Sequence, residues 1–380
     1  MTIASPRTRV LAFSPLFLPF LGGIEILLRT LLPALRQRGI ETAVVTESAE
    51  GLASREEMDG TRVYRLPLSG AVRSRNALEP LRVMQQLRAI VAEERPDALH
   101  LHSVAQAAAY YVERLLSQGG ALPYLVSLHG ALETEDQLQV VRGLLAGARA
   151  VSGVSQACLD SAAPFLPAGS ARQLIYNGIP DTDLRCAPWR QGETARLLCV
   201  GRLQLEKGYD LAIAALAIAV ARGFDGRLAI IGRGEQELNF RALAARLGIA
   251  DRVDFLGELA PSLVAAEMAR AHALLAPSRM REGFGLVVAE AGRMGVPAIV
   301  AKTGGLSEVV IDGRSGLVVP REDADALADA LLRLFRSEDH WRDLGAQARE
   351  RVVTTFGHDA CVEGYVRFYA DHLGEKRRAL

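Results

Sequence analysis

Lysine is almost missing from the sequence: the 380 residues hold it only at Lys207, Lys302 and Lys376, and arginine supplies the other positive charges. A lone lysine inside a Gly-rich segment, as at Lys207, therefore stands out. Net charge is missing too, since Lys+Arg and Asp+Glu both total 44. That removes any bulk electrostatic argument for nucleic acid as a partner. Cysteine is scarce and scattered (Cys158, Cys186, Cys199, Cys361), with no Cys-x-x-Cys pair. The pattern excludes a disulfide framework and a zinc site, and fits a reducing compartment. There is no run of about 18 uncharged apolar residues. The apolar stretch that begins MTIASPRTRVLAFSPLFLPFLGG is interrupted by Pro15 and Pro19, so it reads as strand and loop rather than signal peptide or spanning helix. The expected location is cytoplasmic.

What remains is a composition rich in core: 49% hydrophobic and 23% charged. At this length, two domains of about 150–200 residues are expected. Short apolar runs alternate with longer helical patterns, which argues for parallel sheets covered by helices. In the first half the strand candidates are residues 9–13, 42–46, 62–66, 98–102, 124–128 and 150–154. Between them lie stretches such as 24–38, where Ile24, Leu27, Leu28, Leu31 and Leu35 share a helical face. The pattern restarts after the polar, proline-bearing segment from Asn177 to Ala195, with LLCVG, RLAIIG, VDFLG, ALLAP, PAIVA and SGLVV. The expected fold is α/β, two Rossmann-like doubly wound domains facing across a cleft. The boundaries are 1–177 for an acceptor-binding domain, 178–357 for a second, and 358–380 for a C-terminal helix packing back on the first. Ligands of such folds bind beyond the strand ends.

The second domain carries the chemistry. LLCVGRLQLEKGYDLAIAAL ends a buried strand at Gly201 and presents Arg202 and Lys207 ahead of an amphipathic helix. Two cations near a helix start suit a diphosphate, although two surface cations in an ordinary turn would look the same. IIGRGEQE supplies Gly232 and Gly234 but lacks the third glycine of a dinucleotide fingerprint. In LLAPSRMREGFGLVVAEAGRMGVPAIV, Glu282 falls in a Gly-rich loop. Glu290 falls about 7 Å along the helix that follows. Such carboxylates can bind two hydroxyl-bearing parts of one ligand, or be a loop Glu favoured by the macrodipole and a solvated helix Glu. Gly304, Gly305 and Leu306 precede a short helical stretch whose N–H groups could face phosphate oxygens.

The ordered set VGRLQLEKG, IIGRGEQE, FLGEL, APSRMREGFGLVVAEAGRMGVPAIV, TGGLSEVV and DGRSGLVVP resembles the retaining glycosyltransferases of family four, which have the GT-B fold. GGIE at Gly22–Glu25, DALHLHS, SLHG at Ser127–Gly130 and YNGIP at Tyr176–Pro180 extend the resemblance over nearly the whole chain. It implies transfer of a sugar from a nucleotide-diphosphate sugar to a hydroxyl of a glycan or lipid-linked acceptor, with neither metal nor cofactor. Arg202 and Lys207 would neutralise the diphosphate, Glu290 hold the ribose, and Glu282 the transferred sugar. Gly304, Gly305 and Leu306 would offer N–H groups, while Gly22 and Gly23 would let a first-domain loop approach the phosphates. Gly232, Gly283, Phe284, Gly285 and Leu286 complete the donor set. His129 matches the active-site histidine; at most one of His100 and His102 is expected to face the cleft, with His102 ranked below His129. Arg279 and Arg281 sit in a loop of variable length and are given no role.

Two other functional classes compete: another GT-B enzyme, such as a sugar-nucleotide epimerase or a phosphorylase, and a non-catalytic sugar-nucleotide-binding regulatory protein. Asp181-Thr182-Asp183 has the look of a metal-binding Asp-x-Asp but is read as an exposed turn. Arg73, Arg75, Arg82 and Arg88 form a basic amphipathic stretch. It is read first as a solvated face, with peripheral contact to anionic lipid at the inner face of the membrane as the alternative.

Overall fold

The computed structural model describes residues 8–20, 22–117, 122–132 and 135–373, with the side chains of 135–140 outside that description. The first seven residues of the N-terminal stretch, Lys376 and the end of the 358–380 segment lie outside the described residues. By contacts the chain divides into two compact units, residues 1–178 together with 358–380, and residues 179–357.

The first unit is built on β1 (Thr8–Phe13), β2 (Ile40–Glu47), β3 (Arg55–Met58), β4 (Thr61–Leu66), β5 (Ala98–Leu101), β6 (Tyr124–Leu128), β7 (Ala150–Gly153) and β8 (Arg172–Leu174). They form one sheet in the order β3-β4-β2-β1-β5-β6-β7-β8. All neighbours are parallel except the β3/β4 pair. The central strands are buried along their whole length because helices cover both faces, which is why they read as continuous apolar runs. The helix Gly23–Gln37 turns Leu27, Leu28, Leu31, Leu32 and Leu35 inward. The helix His358–Leu373 packs Cys361, Val362, Tyr365, Phe368 and Tyr369 into the same core.

The second unit holds β9 (Ala195–Val200), β10 (Gly226–Ile231), β11 (Val253–Gly257), β12 (Ala273–Ala276), β13 (Ala298–Ala301) and β14 (Gly316–Val319). The order is β11-β10-β9-β12-β13-β14, all parallel. Its core includes Trp189 set edge-on to Phe335 at 4.9 Å, and Trp341, whose indole N–H donates to the His272 carbonyl at 2.7 Å.

Each sheet reverses its strand order once, between β1 and β5 in the first unit and between β9 and β12 in the second. In doubly wound sheets the loops leaving the carboxyl ends at that reversal are free to splay apart and form the binding crevice. In the second unit those loops carry Arg202, Lys207 and Glu282; in the first they carry Gly22, Gly23 and His102.

Candidate active site

Three loops converge in the second unit. The loop after β9 folds into a short 3-10 turn, Leu205–Lys207, then passes through Gly208 (φ 71°) into the helix Tyr209–Ala221. A side chain at Gly208 would place its Cβ 2.0 Å from the Pro277 carbonyl oxygen, so the loop after β12 can press against it only because this residue is glycine. The Glu206 carbonyl accepts from the Arg279 N–H at 2.8 Å and from the Ser278 hydroxyl at 3.1 Å. Arg279 also grips Asp210 with both guanidinium nitrogens at 2.8 Å and donates to the Leu205 carbonyl at 2.7 Å. The planar fork of arginine suits this bidentate clamp, and the Asp210 carboxylate holds the Arg279 pKa above its ordinary value.

The clamp brings Lys207 and Glu282 together: the Lys207 Nζ lies 2.7 Å from Glu282 Oε1, with the two side chains 22% and 18% exposed. The loop after β13 closes the third side. Gly305 N–H donates to the Glu282 carbonyl at 2.8 Å, and the Thr303 hydroxyl donates to the Met280 carbonyl at 3.0 Å. Gly304 has φ 48°, and a Cβ there would sit 2.2 Å from the Glu282 carbonyl oxygen. Gly304 N–H has no described partner, whereas the N–H groups of Gly305 and Leu306 are already engaged with Glu282 and Thr303. Of the three expected amide donors, then, the Gly304 amide is the one left open.

Glu290 departs most from a bland reading. It lies in the helix Leu286–Met294, entered through Gly285, and is only partly exposed. Among the described residues its carboxylate has no hydrogen bond and no ion pair, and burial pushes its pKa up to about 7. A solvated helix glutamate would not be shifted. Arg202, by contrast, is exposed and its guanidinium has no described partner. Phe284 and Leu306 turn their side chains into the core, Phe284 edge-on to Phe356 at 5.2 Å, leaving only backbone to a ligand. Gly232 lies beside the Gly201 carbonyl at the end of β10. Asp181 and Asp183 are exposed in a turn, where Asp181 pairs with Arg293.

In the first unit Gly22 caps the helix Gly23–Gln37. The carboxylate of Glu25, buried beneath it, hydrogen-bonds the backbone N–H groups of Gly22 and of Glu25 itself; burial raises its pKa. His129 follows β6 and is half-buried, with Nε2 3.2 Å from Nδ1 of His102. His100 and His102 are both fully buried, and their rings lie 4.1 Å apart. Residues two apart on a strand share a face, so the pair forms one cluster. His100 bonds the Tyr369 hydroxyl through Nδ1 at 2.6 Å and the Ser127 hydroxyl through Nε2 at 2.8 Å, and Ser127 continues to Ser152 at 2.6 Å. This buried polar string, unread in the sequence, ties the helix His358–Leu373 to β5, β6 and β7.

Two doubly wound, mostly parallel sheets, with the loops of Lys207 and Glu282 meeting at the reversal of the second, have the architecture of a GT-B glycosyltransferase. Residues 187–351 match the family described as Glycosyl transferases group 1, and residues 22–178 match the Glycosyl transferase 4-like domain. The chain is 31% identical over 295 residues to the GDP-mannose-dependent alpha-(1-6)-phosphatidylinositol monomannoside mannosyltransferase of Mycobacterium tuberculosis, covering 72% of this chain and 76% of that one. It is 29% identical to the D-inositol 3-phosphate glycosyltransferase of Acidothermus cellulolyticus, over 96% of this chain and 90% of that one. Among solved structures, sucrose-phosphate synthase from Thermosynechococcus elongatus superposes with a TM-score of 0.80 at 25% identity, over 96% of this chain and 99% of that chain. The chain belongs to the group 1 glycosyl transferases, and it is a glycosyltransferase.

Proposed function

We propose that the enzyme moves a sugar from a nucleotide-diphosphate sugar to a hydroxyl of a glycan or lipid-linked acceptor, with retention of configuration and without a metal or cofactor. The observation that carries this reading is Glu290: a desolvated carboxylate without a described partner, on the helix that follows the loop of Glu282, the partner of Lys207. Ribose hydroxyls would supply the donors that this carboxylate lacks. Arg202 and Lys207, with the open Gly304 amide, would take the diphosphate, where charge-assisted bonds stabilise the negative charge that grows as the sugar departs. Glu282, held by Lys207, would accept from hydroxyls of the transferred sugar.

In the chemical step the bond from the anomeric carbon to the phosphate oxygen breaks, and the acceptor oxygen bonds the same carbon from the same face. The acceptor proton passes to the departing phosphate oxygen. Glu282 is thus a positioning carboxylate and forms no covalent adduct. Retention is supported by the alpha linkage in the name of the mycobacterial relative, which is what same-face attack on an α-linked donor produces. The lipid and inositol phosphate acceptors in the names of the two relatives support an acceptor of that class. A surface for lipid is supported by Leu78 and Leu81, 56% and 59% exposed, beside the exposed Arg73, Arg75 and Arg82. The test is Glu282→Ala: transfer is abolished while nucleotide binding is largely kept. Retained transfer, or a glycosyl adduct trapped on Glu282, overturns the assignment.

A further inference from the structure

The contact between His102 and His129 contains a proton-counting problem with one economical solution. Both rings are neutral, because burial pushes His129 down to about 4 and His102 well below the ordinary imidazole value. A neutral imidazole carries one N–H, so the 3.2 Å contact joins one donor to one bare nitrogen. The other nitrogen of His102, Nε2, is buried and has no partner. His100 cannot serve it, since both nitrogens of that ring are engaged with Tyr369 and Ser127. If His129 were the donor, the proton of His102 would sit on Nε2 as a buried N–H with no acceptor. Orphaned buried N–H groups are among the rarest features of folded proteins. If His102 is the donor, Nε2 is a bare lone pair and no N–H is stranded.

We propose that His102 is a positioning residue whose Nδ1–H donates to Nε2 of His129 and so holds the proton of His129 on Nδ1. His129 then meets its ligand as a hydrogen-bond donor. Its Nε2 is engaged by His102 and its Nδ1 already carries a proton, so His129 has no free nitrogen to take the acceptor proton. The role of His102 therefore deepens the proposed function, on which the ligand of His129 rests, and leaves the departing phosphate oxygen as the proton's destination. The same logic separates His102 from a merely structural histidine such as His100. What matters at 102 is one N–H aimed at one neighbour, and a side-chain amide can supply that.

The experiment uses the full-length chain labelled with nitrogen-15 in histidine, with His129 identified by the signals lost in His129→Gln. The expected spectrum has the proton of His129 on Nδ1 and that of His102 on Nδ1. In His102→Leu, His129 populates both tautomers and kcat falls about tenfold, the kinetic equivalent of one neutral hydrogen bond, with KM for the donor little changed. His102→Asn, whose amide nitrogen stands near the place of Nδ1, recovers the tautomer and most of the lost kcat. A His129 proton on Nε2 in the unmodified protein overturns the proposal, as does an unchanged tautomer in His102→Leu. If that variant fails to fold, the spectrum of the unmodified protein decides alone. Should His129→Gln leave kcat intact, the placement of His129 at the reaction fails, while the spectra still decide what His102 does.

Discussion

The proposed contact of Glu290 with the donor ribose would make donor binding depend on pH in a calculable way. Its carboxyl titrates at about 7 because burial on the helix Leu286–Met294 disfavours the charge. If ribose hydroxyls donate to the ionised form, as proposed, the donor binds with release of a proton wherever Glu290 is still protonated. If only the carboxylate binds, apparent donor affinity rises about tenfold between about pH 6 and pH 8, then levels off. The same shift has a stability consequence of opposite sign. A carboxyl raised from 4.5 to about 7 binds its proton more tightly in the folded state than in the unfolded one. The associated stability is full below the unfolded value and is lost as pH rises through the folded one, a change of up to about 3 kcal/mol. Glu290→Gln should therefore stabilise the free enzyme at about pH 8, change little at about pH 5, and weaken donor binding about 10–100-fold at the higher pH. Titration calorimetry in buffers of different ionisation enthalpy reads both affinity and proton release. A donor affinity that is flat across this range, or a Glu290→Gln enzyme with the same pH slope, would refute the reasoning.

Three further outcomes follow from the site's construction. Gly304→Ala forces a Cβ against the Glu282 carbonyl at a left-handed backbone position, and should cost about 1–3 kcal/mol in chemical denaturation and weaken donor binding. Arg279→Ala leaves Asp210 unpaired and unties the loops after β9 and β12; it should cost about 1–3 kcal/mol, and Arg279→Lys, lacking the fork, should not restore it. Reversing Arg73, Arg75 and Arg82 to Glu should abolish sedimentation with anionic vesicles at low salt; no binding by the unmodified enzyme removes lipid contact.

Much of the fold was legible. All six apolar runs after Ala195 form strands, because strands of a covered parallel sheet are buried on both faces and advertise it. In the first unit β3 and β8 went unseen: REEM and RQL are short, polar edge strands without a core face to pattern them. Candidate site residues were legible as a set of motifs, yet their physics was not. Lys207 and Glu282 stand far apart in sequence, and the contacts between their loops, the Arg279 clamp among them, make them partners. The glutamate at 290 looks like any solvated helix residue until packing strips its water. The spacing of Gly304, Gly305 and Leu306 could not say that two of their three N–H groups are spent within the loops. The pairing of His100 with Tyr369 depends on how the last helix docks, which no local pattern encodes.

The central claim is that the loops of Arg202, Lys207 and Glu282, with Glu290 on the helix that follows, bind a nucleotide-diphosphate sugar. The most direct test is thermal unfolding of the full chain with UDP-, GDP- and ADP-sugars, for the unmodified protein and for Lys207→Ala. At about 100 times Kd, the true donor stabilises by about 2.7 kcal/mol, a rise of several degrees in Tm. The account predicts that rise for one of the three bases and its loss, or a large reduction, in Lys207→Ala. No shift with any of them, or a shift that Lys207→Ala leaves untouched, would contradict it.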